Sequence, residues 1–269
     1  MRKILFVFLA FAACSDNDNH PNPGGGAVPD AGGGGGGSGG GSAADIQQDF
    51  NDVAVLVAAN LSTGELPAMV DAINMACGRN PAGFTIMDHT DSAGVAFQTL
   101  DGMRGGLTVQ YKLFCRDDQD AETTCNGNEN HAHVKPTYTG TLAAADASID
   151  SVQRSAAWIV RDVGMASPRI GGEGTESFAS HLSTGDYMVM LTDTLKDTRF
   201  DRSAPTTPTS GTLDLSINVQ RTRQGAVPAD RSFTVMAHIV FTGDDTATMT
   251  LDQTQIYALT VSTGAVVKQ

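Results

Sequence analysis

Aromatic and basic residues are scarce in this chain, and each shortage closes off a class of function. Phe, Tyr and Trp make up 6% of the 269 residues, and only one residue is Trp. A transmembrane β-barrel needs aromatic girdles at both membrane interfaces, so that architecture is not expected. Lys and Arg number 17 against 30 Asp and Glu, a formal charge of −13. Nucleic-acid affinity comes largely from cations that neutralise phosphates, and the same cations hold proteins on anionic lipid. Neither partner is expected. Hydrolase signatures are missing too: there is no H-E-x-x-H, and G-x-S-x-G occurs only inside a glycine run. The marked apolar run at the start, Ile4 to Ala13, has ten residues. A helix that crosses a bilayer takes roughly 20.

What is there begins with an address. Arg2 and Lys3 precede the apolar run, which has the length of a signal-peptide core. It ends Phe11-Ala12-Ala13-Cys14-Ser15. These residues resemble the lipobox of bacterial lipoprotein precursors, with Phe11 where Leu is usual. The resemblance implies that 1–13 is a signal peptide and that Cys14 receives a diacylglycerol and becomes the new N-terminus. It also implies at least two acyl chains. At about 0.8 kcal/mol per buried CH₂, one chain holds reversibly and two hold firmly, so the partner at this end is the lipid bilayer. Ser15 stands where Asp would signal inner-membrane retention, which points to the outer membrane of the cell envelope. Plain secretion is the other reading, since Ala10-Phe11-Ala12 has the form of an A-x-A cleavage site.

Residues 14–44 are Gly, Pro, Asp, Asn and Ser with little that could pack, including the run Gly32 to Gly37. Glycine loses the most backbone entropy on ordering and nothing here offsets that loss. The segment is expected to be a disordered tether. A gly-rich coil of roughly 30 residues spans about 30 Å on average. The remaining residues, 45–269, suffice for a single globular domain.

That domain opens with a helical period over 45–78. Ile46, Phe50, Val53, Val57 and Leu61 recur as one stripe, and Leu66, Met69, Val70, Ile73 and Cys77 as another. Ser62 with Glu65 three residues later is a capping-box start for the second helix, and Gly78 is its stop. From 79 to 269 the period becomes 2: Leu107 to Cys115, Leu213 to Val219 and Phe233 to Phe241 alternate apolar and polar residues. Ser183-Thr184-Gly185 and Ser262-Thr263-Gly264 supply turns, and Ser203 to Gly211 reads as a long loop. The expected fold is α+β and β-rich: an N-terminal helix pair followed by a long-stranded, curved antiparallel sheet.

Candidate chemistry is thin. Asp118, Asp120, Glu122, Asn126 and Glu129 fall at relative positions 1, 3, 5, 9 and 12, the side-chain ligand spacing of a calcium loop. Thr123 occupies the position where an EF-hand needs Gly, and the flanks read as strands, so calcium competes with a plain solvated acidic loop. His131 and His133 would share a strand face and could take zinc with Glu129 or His89 as a third ligand. His181 and His238 are expected as partly buried neutral side chains in strands. Trp158 reads as core, and Gly171-Gly172-Glu173-Gly174 as a hairpin or lid loop. With Cys14 assigned to lipid, Cys115 at a strand end and Cys125 in the loop after it form the expected disulfide, leaving Cys77 as a buried thiol. The reading that best fits is a non-catalytic domain displayed at the envelope, binding a protein, a glycan or another envelope component. The alternatives are a carrier of a hydrophobic ligand in a sheet cavity and a hydrolase of unknown type.

Overall fold

The computed structural model describes residues 41–269 apart from 93, 118, 120, 124, 126–129, 145 and 146, and the side chains of 122 and 123 are also left aside. The described residues form one unit.

A single helical rod, 43–76, precedes the strands. It consists of α1 (Ala43–Asn60), a π-turn (Leu61–Glu65) and α2 (Leu66–Ala76). Ser42 caps its start by accepting the Asp45 N–H at 3.1 Å. The helix pair expected from the capping box is not what forms. The backbone stays in the right-handed helical region at Asn60, Leu61 and Leu66, and no side chain caps a second start. Two local facts explain this. The Ser62 and Thr63 hydroxyls both donate back to the Ala59 carbonyl, at 3.1 and 2.7 Å, so neither is left to cap a new helix. Pro67 has no N–H to give residue 63, and the chain instead bonds Leu66 N–H to the Leu61 carbonyl, one residue wider than an α-turn.

The strands are β1 (Thr85–Thr90), β2 (Ala96–Arg104), β3 (Gly106–Arg116), β4 (Glu122–Thr123), β5 (His131–Ala143), β6 (Ser148–Arg161) and β7 (Arg169–Leu182). Then follow β8 (Gly185–Arg199), β9 (Ser210–Thr222), β10 (Asp230–Gly243), β11 (Thr246–Leu251), β12 (Gln255–Thr260) and β13 (Ala265–Lys268). They form one antiparallel sheet in chain order, with the two-residue β4 paired only to β3. β1 and β13 are its edges, so the sheet is not closed. The alternation read from the sequence holds: Leu107, Val109, Tyr111, Leu113 and Cys115 are all buried, as are Leu213, Leu215, Ile217 and Val219. Gly171 to Gly174 is a correction. It lies inside β7, paired to β6 and β8, because those glycines let neighbouring groups come close rather than turn the chain.

The apolar face of the sheet is covered by the helix. By length and composition the rod is apolar enough to cross a membrane, yet 78% of its most apolar window is buried within the domain. Beside the apolar core, polar pairs tie helix to sheet in succession. Asp71 meets Arg104 of β2 (2.7 Å) and Tyr111 of β3 (2.8 Å). Asp52 bonds Tyr187 of β8, and Asp49 pairs with Arg221 of β9 (3.1 Å) and Arg231 of β10 (2.6 Å). Asn51 accepts from Tyr257 of β12 at 2.9 Å. The Cys115–Cys125 disulfide is formed, and Cys77 is a buried free thiol, both as expected.

Candidate functional site

Two features share the middle of the sheet, one on each side of it. The inner one is a buried ion cluster beneath the π-turn. Arg154 of β6 stands directly across from Tyr138 of β5 and Glu176 of β7, and Asp193 of β8 sits opposite Gly174. Arg154 donates to Asp193 from both terminal nitrogens and to Glu65 of the π-turn at 2.6 Å. Tyr138 donates to the same Glu65 at 3.3 Å, and Asn60 Nδ2 donates to Glu176 Oε2 at 2.9 Å. Three buried acids thus face one guanidinium.

Burial dominates the electrostatics. It pushes Glu65 up to about 8 against the pull of Arg154, with Asp193 and Glu176 adding to the rise. It pushes Glu176 up to about 7 despite Arg154 and the Asn60 amide. The Tyr138 phenol is raised by the same burial and by the carboxylates around it. Asn60 Oδ1 and Glu176 Oε1 are buried acceptors without a partner among the described residues. Both residues line a small cavity of about 20 Å³ with Glu65, Arg154 and Asp193, room for one water.

Gly174 makes this packing possible. A Cβ there would lie 2.5–2.6 Å from three atoms of the Arg154 guanidinium, so the arginine lies across a position that has no side chain. Gly174→Ala is therefore expected to cost about 1–3 kcal/mol by overpacking. Gly164→Ala, where a Cβ meets nothing within 4 Å, is the matched control and should be close to neutral in chemical denaturation.

The outer feature is a groove of about 520 Å³ on the polar face. Its walls come from two cross-strand ladders. One runs Ser155–Thr175–Thr192 from β6 to β8, and the next runs Thr139–Gln153–Ser177–Met190–Asn218 from β5 to β9. Most of these side chains are hydroxyls or amides, and all of them are neutral. Met190 is 64% exposed. Arg154, Glu176 and Leu191 also line the groove, and the first two belong to the buried cluster, so the two features meet through the sheet.

The residues singled out from sequence scatter around this centre. Cys14 lies outside the described residues, as do Asp118, Asp120, Asn126, Glu129 and the side chain of Glu122. His131 and His133 do share one face of β5, with ring centroids 5.3 Å apart. His89 is on β1, two strands removed, stacked on Phe97 and bonded to Thr99 at 2.9 Å. Among the described residues no group of three His, Cys, Asp or Glu is placed to hold a metal. His181 and His238 correct the expectation of partial burial. They are strand residues on the outer face, paired at 2.7 Å with Asp186 and at 2.6 Å with Asp214. The Asp186 hydrogen bond raises the His181 pKa. Trp158 is core, 1% exposed, beneath the Arg154 guanidinium.

No family model, no curated protein and no solved structure matches this chain.

Proposed function

We propose that this chain is a membrane-anchored lipoprotein of the cell envelope whose domain is a non-catalytic binding module, working with the outer face of its sheet. One observation carries the reading: the apolar face, which a carrier of hydrophobic molecules would need open, is occupied by the chain's own helix. Pockets that take small ligands measure roughly 300–1,000 Å³. The cavity beneath the sheet is about 20 Å³, whereas the groove on the outer face is about 520 Å³. A sheet that bends around its helix belongs to the same reading. Around residues 58–62 the helix meets Glu176 of β7 through Asn60, and also the β12–β13 turn, where Gly264 lies against Ser62 and Ala58. In a flat sheet β7 and β13 would stand far apart, at about 4.8 Å per strand.

The anchor in this reading is acylated Cys14, with the outer membrane as its address and the glycine-rich tether between lipid and domain. Cys14→Ser is expected to move the protein from the membrane fraction to the soluble fraction with its melting temperature unchanged. A variant that still sediments with membranes would overturn the lipid assignment. The binding half of the reading is tested by incubating the full chain with sedimentable envelope material from which its own membranes have been stripped. Retention is expected, and a chain that remains wholly in the supernatant would refute a binding role.

A further inference from the structure

We infer that the groove on the outer face is a binding site for a neutral glycan chain, a deepening that rests on the binding-module reading above. The argument starts from what the lining offers. Hydroxyl side chains donate and accept at once, and amide side chains do both from separate atoms. A sugar hydroxyl asks for that same mixture. Among the described residues, the side chains of Thr139, Gln153, Ser155, Thr175, Ser177 and Thr192 make no hydrogen bond with one another or with anything else in the protein. Their hydrogen-bonding capacity faces outward and is uncommitted.

Charge narrows the class further. The chain carries −13 overall, yet the outward side chains of the groove are neutral, because Arg154 and Glu176 spend their charge on the buried cluster. An anionic polymer would meet no outward-facing cation in the groove and a negative field around it. A cationic peptide would find no outward-facing carboxylate within it. An uncharged, hydroxyl-rich ligand gives up the least in desolvation and finds a partner for each polar group it buries.

Shape and apolar content exclude the other neutral classes. Protein partners are anchored by aromatic and Arg side chains buried at the centre of an interface. The groove lining contains no aromatic residue. Its one exposed apolar side chain is Met190, flanked by Ser177 and Asn218, enough to lie against the C–H face of a sugar ring and too little to hold a lipid. Across the strands the ladder positions repeat at about 4.8 Å and along them at about 6.8 Å, so a chain laid in the groove meets polar groups at short, regular intervals.

The test uses the full chain, folded and in detergent, in native electrophoresis through gels that contain dextran, galactomannan or xylan. Parallel gels carry polygalacturonate as the anionic counterpart. At least one neutral polysaccharide is expected to retard the protein, with polygalacturonate giving no retardation. Thr175→Lys places a charge in the groove from an exposed position, and it should weaken the retardation at least tenfold while the melting temperature holds. Retardation by none of the neutral polymers overturns the inference. So does stronger retardation by polygalacturonate, or retardation that Thr175→Lys leaves intact. The envelope-binding experiment separates the two levels. If envelope material retains the wild-type chain and not Thr175→Lys, while no glycan binds, the glycan assignment fails and the module stands. If envelope material retains neither, the module reading has failed first.

Discussion

Replacing Arg154 by alanine is expected to cost the domain about 3–5 kcal/mol, the penalty for leaving buried carboxylates without their cation. The side chain is fully buried, and it is the guanidinium that serves both Glu65 of the helix and Asp193 of β8. Without it, the buried acids lose the cation that offsets their burial, and water would have to enter. For a domain of 150–250 residues, each kcal/mol lowers the melting temperature by roughly 2–4 °C, so the fall should reach about 10 °C. Trp158, the only tryptophan, lies with its ring centroid 5.9 Å from the Arg154 guanidinium carbon and reports unfolding from inside the cluster. Arg154→Lys keeps the charge but loses the forked geometry, and should fall between wild type and alanine. Arg169→Ala is the control: that side chain is 34% exposed in its pairs with Asp162 and Asp197, and such pairs contribute about 1 kcal/mol or less. Equal losses for Arg154→Ala and Arg169→Ala would mean the cluster does not hold the helix to the sheet.

Stability should also fall as pH rises from about 5 to 8, the reverse of ordinary acid denaturation. The sign follows from Glu176 and Glu65, whose folded pKa values of about 7 and about 8 stand above the usual 4.5. Between those limits the folded state holds protons that the unfolded state has released, and the slope of stability with pH is negative. The contribution is fully present below about pH 4.5 and is lost as pH passes through the folded values. For Glu176 alone the difference is on the order of 3 kcal/mol, at 1.36 kcal/mol per unit. The structure gives this proton a place. Asn60 Oδ1 and Glu176 Oε1 are two acceptors without a donor, and a proton on the acid supplies one. Glu176→Gln carries a permanent donor at that position, so its melting temperature should fall less steeply over the same range, with Glu65 still titrating, and exceed wild type at pH 8. A wild-type profile that rises between pH 5 and 8 would show that Glu176 is ionised in the fold.

The sheet was legible in the sequence because a strand with one buried face leaves a period of 2 that needs no partner to be seen. Leu107 to Cys115 and Leu213 to Val219 show it plainly, and the Cys115–Cys125 link followed from a strand end and the loop after it. The ion cluster left a fainter mark. Arg154 follows Val152 and precedes Ala156 and Trp158 on the apolar face of its strand, Asp193 stands between Leu191 and Leu195, and Arg221 continues the stripe of Leu215, Ile217 and Val219. Charges at inward positions are the signal. Asp45, Asp49 and Asp52, spaced four and three along one helix face, are its complement. Which charge meets which was not readable, since Asp49 and Arg221 are 172 residues apart.

The capping box misled for a related reason. Ser62 and Glu65 fit a local helix start, but Glu65 bonds Arg154 of β6, a contact that local pattern does not register. By itself the sequence determined the helix-then-sheet order and the buried and polar faces of the strands, because these depend on periodicity within a few residues. Only the tertiary structure decided that the helix is one rod and fills the apolar face, that three acids share one arginine, and that polar side chains of five strands line a single groove. Those outcomes depend on pairings across the whole chain, where register and burial, rather than local propensity, set the energy.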